Sequence, residues 1–139
     1  MRVASNEGGR LVMPRKPAVS RSSEPVLRTR LRIVCGAEDA FGPGKAQLLS
    51  EVHQTGSLSQ AAKALKMSYM KAWTLVQAMN KHFVEPLVKL SRGGSHGGGA
   101  RLTPTGEEVL RSYQQLREKV EQAAEGNHWK KIKELLRAV

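Results

Sequence analysis

In SYMKAWTLVQAMNKHF (68–83), Ala72, Leu75, Val76, Met79 and Phe83 recur at helical spacing, and a different set falls on the other side. That second set is Tyr69, Met70, Lys71, Trp73, Thr74, Gln77 and Lys81. Its chemistry is recognition rather than bond breaking. A glutamine amide donates and accepts at once, as the edge of an adenine requires, so Gln77 is the candidate for that contact. A Thr74 or Met70 methyl suits the methyl group of thymine, and lysine ammonium groups suit phosphate. Trp73 is expected to be partly packed, because a mid-helix indole more often fills a gap than meets a base. Arg92, His96 and Arg101 lie in or beside RGGSHGGGAR, where five glycines between Arg92 and Ala100 let backbone N–H groups and cations approach phosphates or a minor groove.

Other chemistries lack their residues. His53, His82, His96 and His128 are scattered without metal-ligand spacing, so no metal or cofactor is expected. Cys35, the single cysteine, has no base at motif spacing and forms no internal disulfide framework. The glycine run is not a nucleotide loop, since GxxxxGK[ST] and a βαβ context are both missing. An enzymatic reading therefore fares badly. Glu51 and His53 read as exposed or capping residues of a helix.

The recognition residues need rigid elements to hold them. GKAQLLSEVHQTG places Leu48, Leu49 and Val52 on one face and stops at Thr55-Gly56. A second helix follows over SLSQAAKAL, N-capped by Ser57 and carrying Leu58, Ala61, Ala62 and Leu65 inward. Its alanines permit the close helix crossing of a helix-turn-helix. Lys66-Met67 makes the turn, and Ser68 caps the third helix. Ser57, Ser59 and Ser68, at the helix starts, join the candidate DNA-contacting set. LVKLSR and ARLT then read as two strands closing the glycine loop into a wing. The class expected is mainly α with a small β-wing, a winged helix-turn-helix, spanning 27–106.

Before it, residues 1–26 mix Ser, Arg, Pro and Gly without period and read as a disordered basic arm, a solubilising tail or a contact to DNA backbone. LRTRLRIVC alternates Leu27, Leu31, Ile33 and Cys35 with arginines, a strand able to pair with the wing, while GAEDAFGPGK reads as turns. After the wing, Pro104 starts a long helix with Glu107 and Glu108 in its first turn. Val109, Tyr113, Leu116, Val120 and Ala123 recur at 4, 3, 4 and 3 residues, with Leu110 beside them. This stripe is expected to build a homodimer. Past Gly126-Asn127, a short helix with Trp129, Ile132, Leu135 and Leu136 inward is expected to lock it, so that 107–139 forms a dimerisation region.

Charge follows the same division. The net charge is +11 with a pI near 10.3, which favours a polyanionic partner. Residues 53–101 hold Lys63, Lys66, Lys71, Lys81, Lys89, Arg92 and Arg101 against Glu85 alone, whereas 102–129 set three cations against five glutamates. No apolar run approaches the roughly 18 residues that span a bilayer, and no h-region follows the N-terminus. A cytoplasmic protein without membrane contact is expected, with double-stranded DNA as its partner. Sequence-specific regulation, by repression through steric exclusion, is the leading expectation; a nonspecific or architectural nucleic-acid binder is the alternative.

Four stretches in order carry a family resemblance: Gly56–Lys63, Ser68–Trp73, Arg92–Ala100 and Leu102–Gly106. Over residues 27–125 the chain resembles the N-terminal DNA-binding domain of ModE-type molybdate-responsive regulators, and more distantly the LysR-type reading head. The resemblance implies dimerisation through the helix after the wing and operator contacts from Tyr69, Lys71, Thr74 and the wing. Full-length members also carry β-barrel domains that bind molybdate. Nothing in 126–139 resembles that region, so molybdate responsiveness is not carried over.

Overall fold

Leu48, Leu49 and Val52 on one helix and Ala72, Val76 and Met79 on another lose all their accessible surface. In the computed structural model, which describes Leu11, Met13 and residues 24–92 and 99–137, these two faces form the centre of the core. The elements run β1 (Ile33–Cys35), β2 (Glu38–Phe41), α1 (Pro43–Thr55), α2 (Leu58–Ala64), α3 (Tyr69–His82), β3 (Val88–Ser91), β4 (Gly99–Leu102), α4 (Pro104–Ala124) and α5 (Asn127–Leu135).

The helix boundaries have local causes. Pro43 opens α1, where its missing N–H costs nothing, and Gly56 ends it at φ +66°, donating its N–H to the Val52 carbonyl. Ser57 and Ser68 cap as expected, accepting from the N–H groups of Gln60 at 3.2 Å and Lys71 at 3.1 Å. Between α2 and α3 the corner turns at Lys66, φ +55°. A side chain in this region is uncommon, so the cation at the corner is held there at a conformational cost.

Two antiparallel hairpins complete the fold, and the first departs from expectation. The arginine-alternating strand does not pair with the wing. Gly36, at φ +61°, turns it back so that Val34 faces Asp39 and Cys35 faces Glu38. The stretch read as turns thus supplies β2. All of β1 is exposed; Phe41 of β2 carries the hairpin's apolar anchor, edge-on to Phe83 and Tyr113. The second hairpin, β3–β4, is the expected wing stem, with Val88 opposite Leu102 and Leu90 opposite Ala100.

The segment read as a disordered arm is not wholly without anchorage. Leu11 and Met13 are buried in the core. The Met13 N–H donates to Ser50 Oγ at 2.8 Å, and Ser50 Oγ donates to the Leu11 carbonyl at 3.2 Å. Ser50 is itself buried, so a hydroxyl on α1 substitutes for water at both backbone groups. The rest of 1–23 lies outside the described residues. Glu51, read as an exposed or capping residue, is also buried. His53 is exposed, as expected.

Helix α4 joins the core only through its first half. Gly106, Leu110 and Tyr113 are buried, and Val109 packs against the core. Tyr113 Oη donates to the Leu31 carbonyl at 2.8 Å, and burial raises its phenol above the ordinary value against the opposing charges of Arg117 and Arg30. Tyr113, expected on the dimer stripe, is therefore a core residue of its own chain. The stripe assigned to dimerisation divides there. Leu116 remains 46% exposed, Val120 is half-buried, and Ala123 is exposed. On α5 the apolar face expected to turn inward has no core beneath it: Leu135 is 84% exposed, and Ile132 and Leu136 are also open.

Candidate nucleic-acid interface

Helix α3 owes its open face to the packing of the opposite one. With Ala72, Val76 and Met79 fixed in the core, the 100° step per residue turns Met70, Thr74, Gln77 and Lys81 outward in one row. Tyr69, Met70, Lys71, Thr74 and Gln77 are all exposed; Met70 keeps 64% of its surface. Thr74 Oγ1 donates to the Met70 carbonyl at 2.8 Å. The hydroxyl proton is thereby committed to the helix, leaving the γ-methyl and oxygen lone pairs for a ligand. Trp73, expected to be partly packed, keeps 40% of its surface one turn from Tyr69, so its indole is partly covered and partly open. Lys81 lies 3.7 Å from Glu38, which also meets His82 Nε2 at 2.9 Å. The first hairpin thus tethers the C-terminal end of α3 and leaves its N-terminal half open.

The wing is mounted through contacts that the sequence did not announce. Asn80, on the last turn of α3, accepts from the N–H groups of Leu87 at 2.8 Å and Val88 at 3.2 Å, and donates to the Val88 carbonyl. One amide side chain satisfies three backbone groups and sets the exit angle of β3. At the other end, Thr103 Oγ1 donates to the Pro86 carbonyl at 2.6 Å and caps α4 by accepting from Gly106 N–H at 3.0 Å. A β-carbon on Gly106 would overlap the Leu87 carbonyl. The Leu102–Gly106 motif is thereby explained: a strand end, a two-way cap, and a glycine where helix meets backbone. Ala100 N–H donates to the Gly56 carbonyl at 2.9 Å, fastening the wing stem beside the start of α2.

Of the wing residues, Arg92 and Arg101 are exposed; His96 lies outside the described residues. Ser59 is exposed at the start of α2, while Ser57 and Ser68 are committed to their caps. Lys89, absent from the expected contact set, stands directly opposite Arg101. Period-2 alternation on a strand already anchored by Val88 was the signal that would have found it.

Carboxylates are unevenly distributed around these cations. Arg32, Lys81, His82, Arg111, Arg117 and Lys133 have acidic partners within 4 Å. Among the described residues, Lys63, Lys66, Lys71, Lys89, Arg92 and Arg101 have none. Glu85, the only acid between 53 and 101, accepts a hydrogen bond from Thr105 at 2.6 Å. No group of three or more His, Cys, Asp or Glu suited to a metal occurs among the described residues, and none of their helices is long and apolar enough to cross a membrane.

Helices α1 to α3, with the tight turn before α3 and the β3–β4 hairpin behind it, define a winged helix-turn-helix domain. Residues 44–107 match the family described as "Bacterial regulatory helix-turn-helix protein, lysR family". The chain is 43% identical over 81 residues to the transcriptional regulator ModE of Haemophilus influenzae, covering 58% of this chain and 32% of that protein. It is 44% identical over 73 residues to the molybdenum-pterin-binding protein MopB of Rhodobacter capsulatus, covering 52% of this chain and 27% of the relative. To the DNA-binding transcriptional dual regulator ModE of Escherichia coli it is 38% identical over 74 residues, 53% of this chain and 28% of the relative. Residues 44–107 thus carry a regulatory helix-turn-helix domain similar to that of ModE. The matches span about a third or less of the relatives' length. Two of these three relatives are named as transcriptional regulators.

Proposed function

We propose that this chain is a sequence-specific DNA-binding transcriptional regulator acting as a homodimer, with α3 in the major groove and the wing on flanking backbone or in the adjacent minor groove. The observation that carries this reading is the open row on α3: Met70, Thr74 and Gln77 face solvent from the second helix of a helix-turn-helix. The six carboxylate-free cations around that row support it, because they are neutralised at no cost to internal ion pairs. The relatives' names as transcriptional regulators support it too. In a two-fold dimer the α3 helices would read half-sites about 34–36 Å apart. Leu116 and Val120, continued by Ile132 and Leu135, supply the apolar surface for that dimer; Val109 reaches its edge. Repression by steric exclusion at the operator is the proposed mode, since it needs only binding.

The test is fluorescence anisotropy on the protein's own upstream DNA and on scrambled DNA of equal length, over a salt series, with and without molybdate. A preference of roughly a thousandfold or more for the native fragment is expected. Thr74→Ala and Gln77→Ala should each remove about 1–3 kcal/mol of that discrimination. Equal affinity for both duplexes, and for an operator selected from random sequence, would replace this reading with a nonspecific or architectural binder. The molybdate arm tests whether the property named in the relatives extends to this chain.

A further inference from the structure

The β3–β4 register sets Lys89 and Arg101 directly across from each other on the outer face of the wing stem. Like charges in directly opposed positions destabilise a hairpin. Neither has a carboxylate partner among the described residues. Both line a cleft of about 260 Å³ that also takes in Gly56, Ser91 and Gly99. The cleft is held open by fixed backbone. Ala100 N–H binds the Gly56 carbonyl, and Ser91 Oγ both accepts from Gly99 N–H at 3.2 Å and donates to Gly99 carbonyl at 3.3 Å. A β-carbon at Gly99 would crowd Ser91 Oγ, so the narrow waist depends on that glycine.

We infer that Lys89 and Arg101 form a clamp for one phosphodiester of duplex backbone, at the stem of the wing rather than its tip. This rests on the reading of the chain as a DNA-binding protein and assigns a further site to it. An anion between the two side chains converts their mutual repulsion into two attractions, and the Ala100–Gly56 bond ties that phosphate's position to the start of α2. The clamp therefore sets the position of the duplex relative to the helix-turn-helix without reading any base.

The experiment is the same anisotropy salt series on native and scrambled duplexes, using Lys89→Ala, Arg101→Ala, their double variant and Arg101→Glu in the full chain, with thermal midpoints of each. Each alanine variant should weaken binding to both duplexes, and the double variant should weaken it by about tenfold near 0.1 M salt and reduce the salt slope by about 0.9, the share of one phosphate. Arg101→Glu should weaken binding further while raising the midpoint by about 1–5 °C, because the cross-strand pair becomes one of opposite charge. Folding and binding moving in opposite directions is a signature that a merely structural pair does not produce. An unchanged slope in the double alanine variant overturns the clamp, as does a fall in both midpoint and affinity for Arg101→Glu. Loss of sequence preference in the unmodified protein would instead strike the α3 reading, and the slopes on scrambled DNA would still decide the clamp.

Discussion

The reading head and the C-terminal helices are inverse surfaces on one chain. From α1 to β4 the apolar residues are mostly inside, and the cations outside stand almost without carboxylates. From the middle of α4 onward Leu116, Ile132, Leu135 and Leu136 are outside; Arg117 and Lys133 are paired with Glu121 and Glu24, while Lys119, Lys130, Lys131 and Arg137 have no acidic partner among the described residues. Unpaired cations on a rigid scaffold call for a polyanion, since nothing within the protein competes for them. Exposed leucines and isoleucine call for a protein surface, since such a face gains by removing apolar area from water. The two halves therefore present different surfaces, and the boundary between them falls near Tyr113.

The largest effect should come where the halves are joined. Gly106→Val should destabilise the fold by about 4 kcal/mol or more, read as a shift of the urea midpoint, because the new side chain collides with the immobile Leu87 carbonyl. Leu110→Ala, on the buried half of α4, should cost about 2–5 kcal/mol in the same assay. Asn80→Ala should cost about 1–3 kcal/mol by leaving wing-root N–H groups unpaired. That variant should lower affinity for every duplex while leaving the preference set by α3 in place.

Tyr113→Phe should cost about 1 kcal/mol through its bond to Leu31. It also has a pH signature. Because the folded phenol titrates higher than the unfolded one, its contribution is complete below about pH 10 and is lost as pH climbs through the folded value. Phenylalanine should abolish that alkaline slope, and an identical slope in both proteins would show that the phenol is not its source. The smallest folding effect belongs to Leu135→Asp, within about 0.5 kcal/mol for the dilute monomer. Sedimentation equilibrium should nevertheless show a weakened dimer. A monomeric parent protein at all concentrations would break the contrast between the two halves.

Helix starts and stops were legible because they depend on one or two residues acting on their own backbone: Ser57, Ser68 and Gly56 behave as their types require. The α3 faces were legible for a similar reason, since a 3.6-residue period needs only to know that a core exists. Lys89 was missed because its role depends on which residue lies opposite, a matter of register. The pairing of β1 was misplaced because alternation marks a strand but not its neighbour; the Gly36 turn made the nearer partner the cheaper one.

By itself the sequence determined the local events: capped helices, a glycine-closed hairpin, segregated charge, and the side of α3 left for a ligand. These follow from backbone chemistry and periodicity, which act within a few residues. Only the tertiary structure decided where the core ends. A heptad-like stripe looks continuous along α4, yet Val109 packs against the core and Tyr113 meets Phe41 and Leu31 while Leu116 is half exposed. The same limit brought Leu11 and Met13 into the core from a segment with no period at all. Burial is a property of what lies across the gap, and that neighbour is set by long-range packing.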